Sequence, residues 1–94
     1  MRVNRRIPVT ATEFSGELNL TAIALIDHTV KVFEFKESST RSQVEMREIH
    51  SFKLTFIATC LFIATYARNS RPILFCGSGL GDVALYYLDS SAAD

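Results

Sequence analysis

The chain has 94 residues, 48% of them hydrophobic and 21% charged, and its ten basic and ten acidic side chains cancel. This length excludes two compact domains, and burial of only about 60 to 70% of the unfolded surface is expected, a thin core. The composition excludes intrinsic disorder, and the zero net charge excludes the electrostatic footprint of a free-standing nucleic-acid-binding domain.

Residues 1–17 read as an N-terminal arm and an entry strand. Arg2, Arg5 and Arg6 form a short basic cluster, expected to be solvated, and no apolar core of a signal peptide follows them. LNLTAIALI (18–26) is an apolar, branched run, interrupted by Asp27-His28 before TVKVFEF (29–35). In the second run Val30, Val32 and Glu34 alternate with Lys31, Phe33 and Phe35, so the two segments predict a hairpin. KESSTR (36–41) is a polar loop, and SQVEMREI (42–49) sets Val44 and Met46 against Glu45 and Arg47, the pattern of an outer, half-exposed strand.

After His50-Ser51 the uncharged run LTFIATCLFIATYA (54–67) is too short for a bilayer span, which needs roughly 18 or more residues. Its Thr55, Ile57, Thr59, Ile63 and Thr65 favour a buried inner strand. Arg68-Asn69-Ser70-Arg71-Pro72 breaks the run, because proline lacks a ladder donor and biases its predecessor away from helix. PILFCG (72–77) then reads as a short strand, SGLGD (78–82) as a turn and VALYYLD (83–89) as a further strand.

An apolar strand, a turn bearing aspartate and an alternating strand with aromatics thus occur at 18–35 and again at 73–88. Aligning Val30–Phe35 with Val83–Leu88 sets the offset at 53 residues. Short meandering strands repeating at roughly this period predict propeller blades. The expected architecture is all-β, an antiparallel meander forming a partial, WD-repeat-like β-propeller of about one and a half blades. Residues 18–49 would end one blade, 50–89 would supply most of the next, and 90–94 would be a tail. The Gly-His and Trp-Asp punctuation of ordinary WD repeats is absent, and the chain has no tryptophan.

LGDVALYYL (80–88), preceded by ILFCGSG, resembles a blade of the family formed by the damage-specific DNA-binding protein large subunit and the cleavage-and-polyadenylation specificity factor A proteins. AIALIDHTVKVFEF (22–35) is similar in pattern to the hairpin before it, so the likeness spans residues 18–89. LGDVALYYL is its specific part, the rest matching in hydrophobic spacing. The resemblance implies a non-catalytic scaffold, in that family an adaptor between a cullin-type ubiquitin ligase and its substrate receptors, with a nuclear or cytoplasmic location. It assigns no contact residue here. The expected partners are other proteins or the remaining blades of a longer propeller, with self-association of the isolated chain through uncovered edges and faces.

The competing reading takes ILFCGSGLGDVALYYL as strand, glycine loop and helix, a truncated flavin- or NAD-binding segment with the loop at 77–82 on the pyrophosphate. Gly77 and Gly79 fit Gly-x-Gly-x-x-Gly, but Asp82 occupies the third position and Gly81 comes one residue early. Other chemistry is sparse. Cys60 and Cys76 form no Cys-x-x-Cys pair and read as small buried residues. Cys76 with His50 lacks an orienting third group, and His28 beside Asp27 reads as a turn residue rather than a ligand. Tyr66, Tyr86 and Tyr87 read as core before base-stacking. No catalytic, cofactor-binding or metal residue is assigned, and neither enzymatic activity nor a cofactor is expected.

Overall fold

The computed structural model describes residues 6–37, 44–65 and 71–88, and these form an all-β protein of seven antiparallel strands in two sheets. The first sheet has the order β1 (Val9–Ser15), β2 (Leu20–Leu25), β3 (Thr29–Glu37) and β4 (Val44–Lys53); the second has β5 (Cys60–Ala64), β6 (Ile73–Gly77) and β7 (Val83–Tyr87). Within each sheet every strand pairs with its sequence neighbour, as an antiparallel meander requires, and no helix is present among the described residues. The helix that a dinucleotide loop would need behind Gly77–Asp82 is instead strand β7, so no helix N-terminus faces that loop.

The two hairpins foreseen from the sequence repeat residue for residue. In the first, Leu20, Thr21, Ala22, Ile23 and Ala24 pair with Glu34, Phe33, Val32, Lys31 and Val30. In the second, Ile73, Leu74, Phe75, Cys76 and Gly77 pair with Tyr87, Tyr86, Leu85, Ala84 and Val83, all displaced by 53. The turns repeat with them. The amide of His28 donates to the Leu25 carbonyl at 3.1 Å and that of Gly81 to Ser78 at 3.2 Å; the closing bonds Phe35 to Asn19 and Leu88 to Pro72 also correspond. Each loop thus ends on a left-handed residue, His28 at φ 77° and Gly81 at φ 98°, as three-residue hairpin loops commonly do. β1 and β5 match as well, Ala11–Ser15 pairing on β2 as Cys60–Ala64 pair on β6.

Face assignment gives this repetition its structural meaning. Leu20, Ala22, Ala24, Val30 and Val32 share one face of the first sheet, here called its front, and all are sealed in the core. Their counterparts in the second sheet are Ile73, Phe75, Gly77, Val83 and Leu85; Ile73 is itself buried, but none of the five joins the cluster between the sheets. The second sheet contributes its opposite face, the back: Leu61, Ile63, Leu74 and Cys76 are buried against the first sheet's front, with Ala84 and Tyr86 packed beside them. The sheets therefore stack front to back in the same sense rather than front to front. Phe52 of β4 stacks on Tyr86 of β7, ring centroids 4.0 Å apart, while β1 lies against β5 on the other side.

Several expectations are corrected. The run 54–67 is not one strand: Leu54–Thr59 connects the sheets, and among the described residues of the run only Cys60–Ala64 form a strand. This connection is apolar because Leu54 and Ala58 fill the space between the layers. It is held by the Leu54 amide on the His28 carbonyl, the Thr59 amide on the Gly77 carbonyl and the Thr10 hydroxyl on the Ala58 carbonyl at 2.7 Å. β4 continues through His50-Ser51 to Lys53, so the first sheet extends beyond residue 49. Its Val44–Glu48 stretch is exposed on both faces, and burial starts only at Ile49, the extra residue of a bulge opposite Val32 and Phe33. Most of the 36–41 loop, Tyr66, the 68–70 break and the tail lie outside the described residues.

Candidate functional site

The front of the second sheet is the most distinctive surface of the molecule. Register sets its nine positions in three rows across the strands: Cys60, Gly77 and Val83; Phe62, Phe75 and Leu85; Ala64, Ile73 and Tyr87. No charged side chain occurs among them. Phe62, Val83, Leu85 and Tyr87 are 57%, 66%, 54% and 60% exposed, whereas Val32, the counterpart of Leu85, is 0% exposed. Phe62 and Phe75 meet at a tilted 6.3 Å between centroids, and the Arg71 guanidinium lies 5.1 Å over the Tyr87 ring. Gly77 has a local reason for lacking a side chain, since a Cβ there would stand 3.0 Å from Cys60 Sγ. A contiguous apolar face of this kind marks an association surface.

Its border strengthens the impression. β7 is the outer strand of its sheet among the described residues, and its sequence VALYY carries neither charge nor proline. β4, the corresponding edge of the first sheet, has Glu45, Arg47, Glu48 and Lys53 together with the bulge, devices that discourage strand addition. Lys31 pairs with Glu48 and Arg47 with Glu34, each at 3.3 Å, so two of these charges are matched on the neighbouring strand.

A second feature lies at the hairpin-turn end. An open cleft of about 730 Å³ is bounded by His28, by the connection around Phe56 and Ile57, and by the turn containing Ser78, Leu80 and Asp82. Serine, histidine and aspartate in one cleft invite comparison with a nucleophile and its base, but the bonding is that of a turn. Ser78 Oγ donates to Asp82 Oδ2 at 2.9 Å and accepts from the Leu80 and Asp82 amides at 3.2 and 3.3 Å. Triad chemistry places the imidazole between hydroxyl and carboxylate, whereas here the hydroxyl contacts the carboxylate directly. His28 Nδ1 lies 3.4 Å from the Leu54 carbonyl oxygen, which steadies its ring against the connection.

The remaining candidates separate clearly. Cys76 is sealed beneath the second sheet, where burial, reinforced by neighbouring Cys60, pushes its thiol up to about 11, the reverse of what a nucleophilic cysteine needs. His50 stacks on Phe52 at 5.4 Å on the first sheet's front. Cys60 is exposed, not buried as expected, because β5 turns alternate residues outward. Tyr86 is a core residue as anticipated; Tyr87, its neighbour, necessarily points the other way and is exposed. Arg6 is exposed, and Arg2 and Arg5 lie outside the described residues. Hydrogen bonds from Thr29, chiefly its side chain and then its amide, hold the Asp27 carboxyl below the usual range. No cluster of three metal-ligating side chains occurs among the described residues, and no helix among them is long and apolar enough to cross a membrane. The sequence did contain a signal for the open front, in that VALYY is apolar at every position and so suits a strand covered on both sides. Comparison with protein-family models, with curated proteins and with solved structures found no match.

Proposed function

We propose that this chain is a non-catalytic protein-association scaffold, a section of a β-propeller whose second sheet presents its front to a further protein layer. The observation that carries this reading is the same-sense stacking of two register-identical sheets, one front sealed and the other apolar and open. A closed sandwich buries the inner faces of both sheets and leaves alternating polar positions outside. Repeated layers that stack in one sense instead leave each terminal layer with a face shaped for the next. The likeness of LGDVALYYL to the damage-specific DNA-binding and cleavage-and-polyadenylation factor family supports a role as adaptor in a ubiquitin-ligase, DNA-repair or RNA-processing assembly. In this reading the cleft at the turns is a surface feature and Cys76 a packing residue.

The reading is tested by lengthening the chain by one period. Residue 89 corresponds to residue 36, so placing a second copy of residues 37–89 after Asp89 supplies a fourth strand along β7, a connection and a third sheet. Slow amide exchange throughout the added segment and a single unfolding transition at higher temperature are expected. An added segment that exchanges as an unfolded tail, with the transition unmoved, overturns the reading.

A further inference from the structure

We infer that the front of the second sheet receives the back of the first sheet of another copy of this chain, so that copies associate head to tail. This goes beyond the scaffold reading, because it rests on the register and faces of this chain alone and names the occupant. The interface inside the molecule supplies the template. There, the first sheet's front accepts a back made of Leu61, Ile63, Leu74, Cys76, Ala84 and Tyr86. Register converts that set into its counterparts on the first sheet: Thr12, Phe14, Thr21, Ile23, Lys31 and Phe33.

This second set forms the back of the first sheet and is suited to docking. Phe14 is exposed and touches Phe35 at 5.4 Å between centroids, and Ile23 and Phe33 are half-buried beside it. Its one central charge, Lys31, is already neutralised by Glu48 at 3.3 Å. Aromatic Phe33 stands where Tyr86 stands in the internal interface, and Phe14 where Ile63 stands. The receiving front offers Phe62, Val83, Leu85 and Tyr87, and the charge at its border is the Arg71 guanidinium, which lies over the Tyr87 ring. The two faces belong to opposite sides of one molecule, so the contact is heterologous: it propagates from copy to copy, closing into a ring if the rotation allows and continuing as a filament if not.

Two complementary blocks test the inference. Leu85→Lys spoils the front and Phe14→Lys spoils the back, and both positions are exposed, so both variants should keep the parent's strand signal in circular dichroism. In sedimentation the parent chain should form assemblies larger than a dimer, and each variant alone should be monomeric. An equimolar mixture should yield a one-to-one dimer through the single intact front and back, doubling the sedimenting mass. Alkylation of Cys60, which lies on the front, should slow as parent concentration rises, a readout that needs no variant. A parent chain that stays monomeric at every concentration overturns the inference. So does a dimer that survives Phe14→Lys unchanged, since it would pair front to front, and so does a mixture that stays monomeric. Success of the lengthened chain together with a monomeric parent would retain the scaffold reading and discard head-to-tail pairing.

Discussion

The two sheets carry the same strand pairing, yet their fronts meet different surroundings. Val32 and Leu85 occupy equivalent positions, opposite Ala22 and Phe75, one sealed beneath the second sheet and the other open to solvent. The side chains reflect this difference in part: small alanines on β2 allow the layers to approach closely, while the second front has phenylalanine, leucine and tyrosine, which project further. Register fixes which residues share a face, but only a neighbouring layer decides whether that face is core.

The matched pair Val32→Lys and Leu85→Lys is the strongest way to break this comparison. An ammonium group at Val32 would have no partner in an apolar core, at a cost of several kcal/mol against a total stability of about 5 to 15 for a typical domain. Loss of the cooperative urea transition is expected. The same change at Leu85 should shift the midpoint by less than about 1 kcal/mol and improve solubility. Equal damage at both sites would mean that the second front is already covered in the folded monomer.

The next largest effect sharpens the contrast between adjacent tyrosines. Tyr86→Ala removes the ring that stacks on Phe52 and should cost about 2 to 3 kcal/mol, toward the lower end for buried aromatics because Tyr86 is only partly enclosed. Tyr87→Ala gives up an exposed ring beneath Arg71 and should cost about 1 kcal/mol or less. Thermal melts of the two variants check the order, and a reversal would invert the faces assigned to β7.

The two thiols give a smaller, pH-dependent contrast. Burial raises Cys76 from 9.0 to about 11. Below pH 9 both folded and unfolded chains keep that proton. Between 9 and 11 the unfolded thiol ionises while the buried one does not, so stability falls as pH rises, by on the order of 2 kcal/mol across the window. Urea titrations at stepped pH should show this slope, and Cys76→Ala should flatten it. At pH 8 iodoacetamide should modify Cys60 and leave Cys76 untouched until the chain unfolds.

These contrasts also show what the sequence could convey. Both hairpins were legible, because apolar runs punctuated by Asp27-His28 and by Ser78–Asp82 leave few alternatives, and the offset of 53 emerged from the same runs. The connection Leu54–Thr59 was not, since hydrophobicity reports burial rather than extension, and Leu54 and Ala58 are buried without pairing. The exposure of Cys60 and Tyr87 was hidden for a related reason: in CLFIA and VALYY every residue is apolar, so alternation cannot tell the sealed face from the open one. The cleft at the turn end was invisible as well, because it joins segments far apart in the chain whose approach depends on how the sheets stack.

The smallest expected effect concerns the equivalent left-handed residues His28 and Gly81. Both close a three-residue loop with the same hydrogen bond, but only histidine bears the steric cost of a Cβ at positive φ, about 1 kcal/mol or somewhat more. Gly81→Ala should therefore destabilise by about 1 kcal/mol through backbone strain alone, because no atom lies within 4 Å of the Cβ it would acquire. His28→Gly should recover the corresponding strain but loses the ring's contact with the Leu54 carbonyl, which ties the first hairpin to the connection between the sheets. Its net effect should be near zero in a urea titration, with faster amide exchange at Leu54, whose amide bonds to the His28 carbonyl. If His28→Gly instead stabilised by the full amount, the imidazole would contribute nothing to the inter-sheet connection, and the two turns would be equivalent in energy as well as in backbone geometry.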